Sequence, residues 1–161
     1  MRRLAIGMLG VLVLASPAMA DGKVYVQLPD LSSLHGEGAK DFLREVILAN
    51  VISSNCAGYE VSDAEWSLLT DAADIIAKGQ LHLDSGAYDD QYYGPAFAVL
   101  EDAGACETHG PKVQPMLDRL VEMGGSRDPL PDQEAAYEDW RAMQDAWDAG
   151  AVATPAKSKT K

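Results

Sequence analysis

From Ala39 to Trp147 the large apolar residues recur every three or four positions, and nowhere do they alternate for long enough to build a sheet. That spacing constrains the chain to helices. Phe42, Leu43, Val46, Ile47, Val51 and Ile52 set out a first helix from about Ala39 to Asn55, closed by Cys56 and ended by Gly58. Ser62-Asp63-Ala64-Glu65 is a capping box, in which the serine hydroxyl accepts from a backbone N–H and Glu65 reaches back to the cap. Leu68, Leu69, Ala72, Ala73, Ile75 and Ile76 continue it as a buried stripe to about Leu83, before Asp84-Ser85-Gly86 breaks the helix.

Tyr92, Phe97 and Leu100 point to a short third helix, with Pro95 near its first turn and Gly104 at its end. Val113, Met116, Leu117, Leu120 and Val121 define a fourth, starting near Pro111 or later because Pro115 is tolerated only in a first turn, and stopped by Gly124-Gly125. Arg127 to Pro131 reads as a linker with two prolines. Asp132 caps a last amphipathic helix over 132–150, whose stripe is Tyr137, Trp140, Met143 and Trp147; these are expected to pack on the other helices. Val24-Tyr25-Val26-Gln27-Leu28 has strand character but no second strand to pair with, so residues 21–37 read as an extended arm. Residues 151–161 are Ala, Thr, Pro and Lys without large side chains and are expected to be disordered. The fold class is therefore all-α: a helical core over 38–125, the C-terminal helix, and about five helices in all.

The first twenty residues have the anatomy of a secretory signal peptide. Arg2 and Arg3 supply the positive start, Leu4 to Ala15 the apolar run, and Ala18-Met19-Ala20 the cleavage site behind Pro17. The run is short for a span of about 30 Å of hydrocarbon, and no later segment is apolar enough to cross a membrane. A periplasmic or secreted location follows, with cleavage near Ala20. Removing residues 1–20 from 161 leaves 141, enough for one domain with a real core.

Cys56 and Cys106 are isolated from one another by 50 positions and lie in the exported part. In an oxidising compartment such a pair is expected to form one disulfide. A redox pair would sit as C-x-x-C, which is absent. The formal charge is −12, or −14 once Arg2 and Arg3 are gone. That sign disfavours nucleic acid and anionic membrane surfaces and suits a basic partner or solubility alone.

No residue cluster reads as catalytic or metal-binding, and no cofactor is expected. His35, His82 and His109 have no second His or Cys at ligand spacing. His82 lies two residues from Asp84, but a His near a helix C-terminus is favoured by the macrodipole alone. Asp84, Asp89 and Asp90 match no calcium-loop spacing. Signature motifs of hydrolases, zincins and phosphate-binding loops are missing. The most unusual stretch is Tyr88-Asp89-Asp90-Gln91-Tyr92-Tyr93. Tyrosine carries a large contact area with a polar tip, so Tyr88, Asp89, Asp90, Tyr92 and Tyr93 form the candidate binding surface, suited to a basic periplasmic protein.

With its signal peptide, the run Ile52-Ser53-Ser54-Asn55-Cys56, and Ala105-Cys106 ahead of a Leu-rich helix, the chain resembles small secreted two-cysteine helical bacterial proteins of unknown function. The resemblance covers roughly residues 40–124 and implies no activity. A fainter likeness is to periplasmic acid-stress chaperones of the HdeA type, which are small, helical and cross-linked over a similar span. The expected function is a non-enzymatic binding or interaction module, with an acid-stress chaperone and a small enzyme as the alternatives.

Overall fold

The computed structural model describes residues 22–151; the signal peptide read in residues 1–20 and the tail beyond Ala151 lie outside them. The described chain is all-helical. It forms five helical rods: α1 (Gly36–Asn55); α2 (Asp63–Asp74, continued by a π-helical stretch Ile75–Gln80); α3 (Ser85–Tyr88, π-helical Asp89–Tyr93, Gly94–Ala98 and a 3₁₀ turn Val99–Glu101); α4 (Ala105–His109, a 3₁₀ turn Gly110–Lys112, and Val113–Glu122); and α5 (Gln133–Asp148).

α1 is the hub, touching α2, α3 and α4. A helix with neighbours on several sides buries more than one stripe, and here Phe42, Leu43, Val46, Ile47, Val51 and Ile52 are all inside. α2 starts on the expected capping box: Ser62 Oγ accepts from Glu65 N–H, and the Glu65 carboxylate accepts from Ser62 N–H at 3.0 Å. Arg127 reaches from the linker to that same carboxylate and to Asp118 on α4, joining two helix surfaces.

α4 begins earlier than expected, at Ala105, because the chain absorbs Pro111 within a 3₁₀ turn. Gly110 sits there flush against the Tyr59 ring, where a Cβ would fall 2.2 Å from the ring. Val113, Met116, Leu117 and Leu120 are buried, whereas Val121 faces outward.

Cys56, just after α1, is bonded to Cys106 in the first turn of α4, with Cα atoms 5.4 Å apart. The bridge closes the loop that contains α2 and α3. In the chain-entropy model such a loop contributes about 4 kcal/mol by restricting the unfolded chain.

The arm does have a partner, and it is the proline-containing linker. Val26 makes an antiparallel bridge with Pro129. Leu130 N–H donates to Tyr25 O and Ser126 N–H to Gln27 O, both at 2.9 Å. Gln133, the first residue of α5, accepts from Tyr25 N–H and donates to Tyr25 O, each at 2.8 Å. Tyr25, Val26 and Leu31 are thereby buried.

α5 packs through its large side chains, with Trp140, Met143 and Trp147 inside and the two indoles edge to face at 5.7 Å. Trp147 lies on Gly79, where a Cβ would come within 2.8 Å of the indole nitrogen. Tyr137 stays half-exposed beside Tyr25.

Candidate functional site

The five residues singled out in the sequence all fall on α3, within or next to its π-helical turn, and the structure divides them. Tyr88 and Tyr92 point into the core, Tyr93 is half-buried, and Asp89 and Asp90 are exposed. Tyr88, Tyr92 and Ala96 follow one another at i, i+4 spacing and share the inner face. Phe97, expected inside with Tyr92, falls one position further round and is 50% exposed.

That exposed ring is held from below. Phe97 stacks on Tyr93 with centroids 6.4 Å apart, and Tyr93 meets Tyr88 edge-on at 5.2 Å. Burial pushes the Tyr88 hydroxyl well above the ordinary phenol range, and the nearby Tyr93 and Asp74 act in the same direction. Tyr93 is raised for the same first reason, with its neighbour Tyr88 opposing. Both phenols therefore stay protonated near neutrality.

The charges that α3 itself carries are one-signed. Asp84, Asp89, Asp90, Glu101, Asp102 and Glu107 are all exposed, and the sequence from 84 to 107 contains no Lys or Arg. Two of these carboxylates have local duties: Asp84 caps α3 by accepting from Ala87 N–H at 2.8 Å, and Asp102 accepts from Gly104 N–H at 2.9 Å. Asp89 and Asp90 precede the aromatic pair along the helix. The arrangement offers a supported apolar contact beside the carboxylates of α3, with the Arg44 guanidinium of α1 5.9 Å from the centre of the Tyr92 ring.

Compared with known protein families, with curated proteins and with solved structures, the chain matches none.

The His82–Asp84 pair is not a catalytic pair in this geometry. His82 is exposed on the turn after α2, with φ +50°, and the Asp84 carboxylate is turned to the α3 backbone. Among the described residues, no three His, Cys, Asp or Glu side chains converge as a metal ion would need, and no helix is long and apolar enough to cross a membrane.

Asp71 is a charged group that no sequence motif marks. It lies on the inner face of α2, 2% exposed, and accepts from Lys23 Nζ at 2.6 Å. The same ammonium stands 4.0 Å from the centre of the Trp140 ring. Arm, α2 and α5 thus meet at one buried ion pair. Burial drives the Asp71 carboxyl up to about 6, against the opposing pull of Lys23. The signal for it was present: Asp71 follows Leu68 by three residues and precedes Ala72, on the apolar stripe itself.

Proposed function

We propose that this protein is an exported, non-enzymatic binding module whose α3 face holds a basic segment of a partner protein. The observation that carries this reading is the half-exposed Phe97, stacked on Tyr93 in a surface with carboxylates and no cation from residue 84 to 107. An aromatic group fixed in advance contributes contact area at little entropic cost. The surrounding charge steers a positive partner and rejects a negative one. Export is supported by the signal-like start at residues 1–20 and by a disulfide compatible with an oxidising, extracytoplasmic compartment. The periplasm of a bacterium fits both.

The test is affinity capture from periplasmic extract with the wild-type protein, Phe97→Ala, and the charge-reversed pair Asp89→Lys and Asp90→Lys. The expected result is one basic protein, lost in both variants and in high salt. Equal capture by all three proteins would move the binding surface elsewhere.

A further inference from the structure

We infer that a cleft between α1 and α4, on residues other than those of the α3 face, binds a small monocarboxylate with an apolar body. The cleft measures about 410 Å³, a volume typical of sites that enclose small molecules. Leu48 and Ala49 of α1 and Met116 of α4 supply buried or half-buried apolar lining. His109, Lys112, Met116 and Arg119 follow one another at helical spacing on a single face of α4, with Glu45 opposite on α1.

The charge of the lining is the unexpected part. The chain carries −12 overall, yet here two cations and one carboxylate line the same cleft. Arg119 is held in place by Glu45 at 2.9 Å and lies 4.4 Å from the centre of the Phe42 ring. A guanidinium has five N–H donors, so pairing with Glu45 leaves donors for a second acceptor. Lys112 takes part in no ion pair among the described residues. His109 Nδ1 is buried and lacks a hydrogen-bond partner there, an unusual state for a buried polar atom. An apolar pocket with a few polar groups gathered on one side is what a compact molecule with an anionic head requires. The apolar body lies against Leu48, Ala49 and Met116, and the carboxylate lies by Lys112 and Arg119.

The test is isothermal titration of the purified, disulfide-intact protein with decanoate below its micelle concentration, alongside decan-1-ol and acetate. Decanoate should bind saturably at one site, decan-1-ol at least about tenfold more weakly, and acetate not detectably. Lys112→Glu, at an exposed position, should weaken decanoate binding by about tenfold or more without altering the melting curve. Lys40→Glu, on α1 but away from the cleft, should leave it unchanged, as should Phe97→Ala, which separates this site from the α3 face. Absence of decanoate binding, equal binding of decan-1-ol, or wild-type affinity in Lys112→Glu would each overturn the assignment.

Discussion

Asp71 shows how a single carboxylate ties three elements together and gives that junction a pH dependence of definite sign. Its folded value of about 6 stands above the ordinary 3.8, so between those limits the folded protein binds the extra proton. Its contribution to stability is therefore fullest at low pH and is lost as pH rises through about 6. Comparing urea unfolding of the wild type with Asp71→Asn at a series of pH values isolates this group. The wild type should gain stability relative to the variant on going from neutral to mildly acidic pH; a relative loss would reverse the assignment. Trp140, on the other side of Lys23, is buried, and Trp140→Ala should cost about 3–5 kcal/mol in the same measurement. An unchanged transition would mean that α5 is not docked in solution. At this scale the sequence was legible where side chains are apolar and evenly spaced, as at Trp140, Met143 and Trp147. It misled at Phe97, because Tyr92 and Phe97 are five residues apart, about 140° round an α-helix, and Ala96, four residues on, takes the inner face instead.

Among the elements, the starts of α2 and α5 were the clearest features, because their caps are written locally: Ser62 with Glu65, and Asp132 accepting from Ala135 N–H at 3.0 Å; α4 has no side-chain cap, and its start was not legible. The pairing of the arm was not legible. It consists of one bridge and a few hydrogen bonds between stretches far apart in sequence, one carrying two prolines, so no alternating pattern announces it. Gln133 is the side chain that secures it. Gln133→Ala should speed hydrogen exchange of the Tyr25 amide while lowering global stability by only about 1 kcal/mol; unchanged exchange at Tyr25 would show that the arm is held by other contacts. The disulfide acts on larger elements, fastening the end of α1 to the start of α4 around α2 and α3. Replacing Cys56 and Cys106 by Ser should lower the unfolding free energy by about 4 kcal/mol, read from the denaturant midpoint. A double variant as stable as the wild type would mean that the loop is already ordered in the unfolded chain.

For the molecule as a whole, the all-helical class followed from periodicity and the disulfide from an isolated cysteine pair, while function had no comparable signal, since binding surfaces carry no fixed spacing. The acid-stress alternative draws no support from Asp71, whose raised value is the direction in which protonation favours the folded form. What distinguishes the surface is the concentration of exposed carboxylates along α3 around one supported aromatic ring. The most direct test places a photo-crosslinking amino acid at position 97 of the full-length protein, with the same replacement at Trp66, another exposed aromatic position, as the control. A binding surface on α3 should give a single adduct with a basic protein from position 97, abolished by Asp89→Lys with Asp90→Lys, and no such adduct from position 66. No adduct from position 97, or the same adduct from both positions, would contradict it.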